Sequence, residues 1–340
     1  MEDMEDESPE IQESSHNVRP AGEAYPANRT PRGAKLKKIY NMLARVPLFR
    51  NARWEDIKLE PLDSFTNLNY KVTTNDETYV LRIAGKGTSN YIDRAAEEHN
   101  ARIATAAGLN AETLFFDAND GTMLSRFVEG STLDRIRFHD DPTAPTRVAL
   151  VLKRLHSVDR AFRSRFDAFA IIDHYLELLR KLQAPLPMGF EEIKLEVDAV
   201  RRLLEAICIP LTPCHNDPWP ENFVEVGRRI YLIDWEYSGM NDPMWDLGNL
   251  SVEAGLRGEQ DRVMMEAYCG GFVPPQLYGR MVLYKATGSF FWALWSIVQY
   301  ANNNPATDFW TYALNRFEQC KALMRSAEFS RHMNAIRGGY

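Results

Sequence analysis

The sequence predicts an α/β (α+β) fold in two lobes, a small sheet-plus-helix lobe over residues 34–128 and a mainly helical lobe over 129–340. Three observations lead there. Residues 68–74 and 78–84 are rich in strand-forming side chains and flank Asn75-Asp76-Glu77, which reads as a hairpin. Beyond residue 130 apolar residues recur every three to four positions over several long stretches, the period of helices that bury one face. A short apolar run, Ile230-Tyr231-Leu232-Ile233, then ends on Asp234 and delivers a carboxylate to the end of a strand. With 340 residues and 45% hydrophobic content, the chain has material for two lobes and a cleft between them.

Residues 1–33 carry seven Asp or Glu within the first 13 positions and almost no large apolar side chains, which predicts a disordered acidic extension, inert or used for docking. No Lys or Arg precedes Arg19 and no apolar run follows, so no secretory signal is expected. Over residues 35–49, Leu36, Tyr40, Leu43 and Val46 keep helical spacing. In the second hairpin strand Arg82 points away from the side of Leu81 and Ile83. Residues 93–107 read as a helix between Asp93 and Gly108, and 123–128 as a strand running into Glu129-Gly130, the connection between the lobes. Helices are expected over 133–138, 146–158, 172–182 and 191–207. Residues 286–301 form the longest apolar stretch; interrupted by Thr287, Gly288, Ser289, Ser296 and Gln299, it falls short of the ~20 residues a membrane span needs and reads as a core helix.

The net charge of −7 argues against a general basic nucleic-acid surface and suits a cationic partner. Four cysteines without CxxC spacing indicate neither a zinc site nor a disulfide framework, and a reducing cytoplasm fits them. His156, near a helix end, is expected to pack or cap, because no second His or Cys lies at metal spacing.

The chemistry concentrates in residues 214–253. His215-Asn216-Asp217 is followed five positions after Asp217 by Asn222, and Asp234 comes twelve residues later. Moving a phosphoryl group from ATP to a hydroxyl asks the protein mainly for positioning and for charge neutralisation by metal. Mg²⁺ prefers hard oxygen ligands, which the Asn222 amide and the Asp234 carboxylate offer, while Asp217 is left to accept the hydroxyl proton. Singly, Asp217 and Asn222 read as turn residues among Pro218 and Pro220, and Asp234 as a strand end; the joint pattern carries the functional reading.

This stretch resembles the catalytic and metal-binding loops of the choline/ethanolamine kinase family, within the aminoglycoside phosphotransferase and protein-kinase-like group. The resemblance covers most of the chain after the first 35 residues and implies a protein-kinase-like fold. It implies that Arg82 takes the place of the strand cation that grips the ATP phosphates, with Glu97 rather than Glu98 as its helix partner. It matches Thr66 and Asn67 to a phosphate-covering loop, although the glycines usual there are missing. By the same likeness Glu129-Gly130 binds adenine through its backbone, and His215 and Asn216 hold the catalytic loop. Glu236 falls near the metal, and Asp246 caps a helix or hydrogen-bonds the loop.

The acceptor is read from aromatic residues. A quaternary ammonium group has no N–H, so its site relies on π faces and a nearby carboxylate. Trp292 and Trp295, three apart, share a face of a helix, with Tyr237 and Glu253 as further candidates; two Trp at that spacing also read as core packing. Resemblance to choline kinases assigns all four, with Tyr312, to the choline pocket. The implied activity is Mg²⁺-dependent transfer of the ATP γ-phosphate to choline. Ethanolamine, thiamine and aminoglycosides are alternative acceptors, and the glycine-poor loop over residues 63–69 motivates a noncatalytic nucleotide-binding pseudokinase. The sequence leaves the oligomeric state open.

Overall fold

The computed structural model describes residues 34–338 apart from 76, 86, 87 and 89–91. The acidic tail and Asp76 of the hairpin turn therefore lie outside the described residues.

Helix α1 (Ala34–Leu43) opens the small lobe and is shorter than the spacing over 35–49 predicts: Pro47 starts a separate 3-10 turn, Pro47–Phe49. A five-stranded antiparallel sheet follows, built from β1 (Lys58–Leu62), β2 (Leu68–Thr73), β3 (Thr78–Ile83), β4 (Thr113–Asp117) and β5 (Thr122–Arg126) in the order β1-β2-β3-β5-β4. The hairpin forms as expected, with Tyr70 paired to Leu81 and Asn69 to Arg82. Alternation then sorts the faces. Tyr70, Val72, Tyr79, Leu81 and Ile83 pack with Ile39, Leu43, Val46 and Phe49 as one apolar cluster. Arg82 points to the other face, where helix α2 (Arg94–Ala106) lies; Asp93 caps that helix by accepting from Ala95 N and Ala96 N.

The boundary between lobes is less sharp than the sequence suggests. Ala101, Ile103, Ala104 and Leu109 join the apolar cluster of the helical lobe rather than that of the sheet. Asn100 donates to Ser238 O at 3.0 Å and accepts from Arg163 N at 2.9 Å.

The large lobe begins with β6 (Ser131–Thr132) and helices α3 (Arg135–Asp140), α4 (Ala144–His156), α5 (Ala168–Lys181) and α6 (Phe190–Glu205). Short strands β7 (Thr212–Cys214), β8 (Phe223–Val226), β9 (Arg229–Leu232) and β10 (Gly239–Asn241) then form the sheets β6-β8-β9 and β10-β7 around residues 214–241. Helices α7 (Pro243–Ala254), α8 (Glu259–Cys269), α9 (Pro275–Ala301), α10 (Phe309–Met324) and α11 (Ala327–Arg337) complete it.

Helix α9 is the axis of the lobe, packed by α5, α6, α7, α10 and α11. Its length and composition would suffice to cross a membrane, but 94% of its most apolar window is buried inside the protein, as the core-helix reading expects. The hydroxyls in this apolar helix bond back to their own backbone: Thr287 to Leu283 O, Ser289 to Lys285 O and Ser296 to Trp292 O. Gly248 of α7 lets the two helices meet closely, since a Cβ there would lie 2.7 Å from Lys285 N and from Met281 O. Gly248→Val should therefore lower stability by about 1–3 kcal/mol or more through overpacking. A lower urea midpoint checks this, and an unchanged one would contradict the close packing.

Candidate active site

Strand pairing assembles the catalytic loop. β8 and β9 pair with Phe223 opposite Leu232, and Ile233 N donates to Asn222 O at 2.9 Å. That register sets Asn222 beside the residue before Asp234. Pro220 opens the 3-10 turn Pro220–Asn222, and within it Asn222 Nδ2 donates to Asp217 O at 3.0 Å. The amide nitrogen is thereby engaged and the amide oxygen is the atom left for a ligand. Asn216 and Asp234 both adopt left-handed backbone, with φ of 69° and 64°. Single left-handed residues outside glycine are uncommon and persist where surrounding contacts hold them.

Those contacts converge on Asp246, in the first turn of α7. Its carboxylate accepts from His215 N at 2.8 Å and Asn216 N at 2.7 Å, and Oδ2 lies 3.0 Å from His156 Nε2. Of the two roles the sequence allows Asp246, the structure gives it the loop; the helix cap is Asp242, which accepts from Met244 N. Asn216 Nδ2 donates to Tyr237 O at 2.9 Å, its Oδ1 accepts from Asn241 Nδ2 at 2.9 Å, and its carbonyl accepts from Trp245 Nε1. His215 Nε2 meets Ile233 O at 2.9 Å, and burial holds its imidazole below the ordinary pKa. His156 also meets the Tyr268 hydroxyl through Nδ1. Folding does bring Cys214 and Asp246 to His156, a proximity that sequence spacing hid, yet both ring nitrogens are already engaged by protein groups.

A second network joins the lobes. Arg82 pairs with Glu97 and, at 3.4 Å, with Glu236; Arg94 pairs with Glu97 at 2.7 Å and Glu236 at 3.3 Å. All four side chains are nearly sealed from solvent, whereas Glu98 bonds Arg102 on the surface. Arg82 Nη2 donates further to Gly121 O, and its Nε has no acceptor among the described residues. Asn67 Nδ2 donates to Glu236, and its Oδ1 accepts from Gly85 N at 3.1 Å. Gly85 lets the end of β3 pack closely on this loop, since a Cβ there would lie 2.0 Å from Thr66 O.

The charges define what the site fits. Two guanidiniums balance Glu97 and Glu236, which leaves Asp234 and Asp217 over. Asp234 Oδ1 is buried without a donor among the described residues. Burial raises the Asp234 carboxyl against the opposing charge of Arg82. Burial, then the charge of Asp234, lifts Asp217 well above the usual carboxylate range. Unbalanced hard oxygens beside a free amide oxygen fit a divalent cation.

Aromatic side chains gather on α9 and around Tyr237, whose carbonyl accepts from Asn216 of the loop. Trp292 stands edge-to-face with Tyr237 and with Trp295, each at 5.8 Å between centroids. Trp292 is buried and donates to Asn249 Oδ1 at 2.9 Å; the Trp295 indole N–H is buried with no acceptor among the described residues. Glu253 is not the uncommitted carboxylate the sequence suggests. Arg316 pairs with its Oε2 and lies 4.9 Å over the ring of Tyr312. Sequence reasoning missed Arg316, although Tyr312 and Arg316 sit one turn apart on α10, and missed Arg94, three residues before Glu97 on α2. It also passed over Glu221, whose carboxyl burial pushes up to about 7.

Fold and site together define an ATP-dependent small-molecule kinase. Comparison with known proteins agrees: the family model described as choline/ethanolamine kinase matches residues 60–264, and the chain belongs to that family. Protein LicA of Haemophilus influenzae is 31% identical over 286 residues, 82% of this chain and 83% of that protein. Among solved structures, a choline/ethanolamine kinase family protein from Mesorhizobium loti has a TM-score of 0.79 and 42% identity over 89% of this chain and 99% of its own. Choline kinase LicA from Streptococcus pneumoniae has a TM-score of 0.73 and 28% identity over 85% and 98%. Aminoglycoside phosphotransferase APH(4)-Ia, a thermostable mutant, shares the fold at a TM-score of 0.60 and 18% identity over 84% and 98%.

Asp246→Ala leaves the His215 and Asn216 N–H groups buried without acceptors, a loss of about 2–6 kcal/mol at ~1–3 kcal/mol per group. Thermal melting and ADP release on the same sample check it: stability should fall, and turnover should fall further than the folded fraction.

Proposed function

We propose that this kinase transfers the γ-phosphate of ATP to the hydroxyl of choline, giving phosphocholine and ADP, with Mg²⁺ held by Asn222 and Asp234. The observation that carries the acceptor is the aromatic cluster of Tyr237, Trp292 and Trp295, tied to the catalytic loop by the Asn216 Nδ2–Tyr237 O bond, with Glu253 close enough for its charge to bear on Asp217. A primary ammonium such as that of ethanolamine seeks several hydrogen-bond acceptors, whereas a quaternary one seeks π faces. Arg316 pairs with Glu253 Oε2 and offsets its charge, while Oε1 is buried without a donor among the described residues, so the π faces rather than this carboxylate favour choline. Ethanolamine is the second reading, supported by the family's description.

Asp217 accepts the hydroxyl proton as the choline oxygen bonds to the γ-phosphorus. The bond from that phosphorus to the β–γ bridging oxygen breaks, and the electron pair leaves with ADP. Arg82, positioned by Glu97, brings positive charge to the phosphate side, and Thr66 and Asn67 form the covering loop. Mg²⁺, when bound, supplies the charge that neutralises the phosphate oxygens and the crowded carboxylates. A cytoplasmic location belongs to the same reading, which the four free cysteines suit.

An ADP-release assay with choline, ethanolamine and no acceptor tests the reading. A higher kcat/KM for choline supports it, and a higher value for ethanolamine overturns the choice of acceptor. Asp217→Ala should lower kcat by about 10²–10⁴-fold while nucleotide binding persists. Wild-type turnover in that variant would contradict the base assignment.

A further inference from the structure

Phe65 sits at the tip of the loop joining β1 to β2, between Ser64 and Thr66, and is 46% exposed. A large apolar ring in a polar turn needs a partner, and the small lobe's apolar cluster does not include it. Its ring contacts come from the other lobe. Trp219 of the catalytic loop lies 6.2 Å away at 89°, Trp295 6.5 Å away at 80°, and Phe309 6.3 Å away at 62°. Trp295 also belongs to the proposed acceptor wall, through Trp292.

The loop is held at both ends of the cleft. Phe65 O accepts from Asn304 Nδ2 at 3.2 Å, on the acceptor side. Two residues on, Asn67 bonds Glu236, beside the proposed metal ligand Asp234. One five-residue turn thus touches both halves of the site.

We propose that Phe65 is an acceptor-binding residue: the loop that covers the nucleotide also places an aromatic ring over the acceptor pocket, so that one loop borders both substrates. This rests on the reading of the acceptor as a quaternary ammonium alcohol. Such a cation gains from each added π face and from exclusion of water around it. Phe65 then selects for the methylated head group, and its contribution is largest for choline.

Steady-state kinetics of wild type, Phe65→Ala and Phe65→Tyr, with choline, ethanolamine and ATP each varied, test the proposal. Phe65→Ala should raise the choline KM roughly tenfold, the scale of a lost cation–π face. The rise should exceed any fall in kcat, leave the ATP KM near wild type, and be smaller for ethanolamine; Phe65→Tyr should restore it. Thermal melting confirms that the variants fold. If wild type phosphorylates choline and Phe65→Ala leaves its KM unchanged, the proposal falls while the function stands. A rise in the ATP KM alone makes the loop a nucleotide cover only and also overturns it. If wild type prefers ethanolamine, the choline reading falls, and an ethanolamine KM unmoved by Phe65→Ala overturns Phe65 as well, whereas a raised one keeps it in the acceptor pocket. A wild type that uses no acceptor overturns both.

Discussion

Buried charge has to be balanced, because an isolated ion away from water carries a penalty of several kcal/mol. Where the lobes meet, Arg82, Arg94 and Glu97 come from the sheet and its helix, and Glu236 comes from the loop that carries Asp234. No member is satisfied without the others. The quartet therefore fixes how the nucleotide side faces the loop of the large lobe, and Asn67 extends that tie to the covering loop. Asp234 also lies within reach of the Arg82 charge, which works against the burial that raises its carboxyl.

The large lobe contributes rigidity of another kind. Asp246 accepts two successive backbone N–H groups, and Asn216 is held by Asn241, Tyr237 and Trp245, so the left-handed turn before Asp217 is over-determined. Behind Asp246 stands the His156–Tyr268 contact, and behind α7 the close crossing with α9 at Gly248. Position of Asp217 thus depends on packing well away from it, as preorganised sites require.

The parts legible in the sequence are those written in local periodicity or in a dense motif. Helices α2 and α4 to α6 and the β2–β3 hairpin follow from spacing and caps. The HND loop, Asn222 and Asp234 follow from chemistry at short range. What escaped depends on partners far along the chain. β1, with Pro61 and little alternation, is recognisable only by its pairing to β2, and of the two- to four-residue strands of the large lobe β9 alone is announced by its own apolar run; the others exist because they pair. Helical spacing continued past the end of α1 because Val46 fits either context until Pro47 starts a separate turn. Arg316 was invisible as the partner of Glu253, 63 residues away, and that pairing changes the carboxylate from an open ligand to a compensated one. Phe65, which the sequence did not single out, is met by three rings from the other lobe.

Calorimetric titration of Mg²⁺, with a non-hydrolysable ATP analogue present, into wild type and Glu236→Gln probes the balance of charge most directly. Glutamine keeps the shape but leaves one guanidinium unbalanced beside Asp234, so Mg²⁺ affinity should fall by about 10–100-fold, the range for partners that support metal ligands. An unchanged affinity would contradict the claim that the buried quartet prepares Asp234 for its cation.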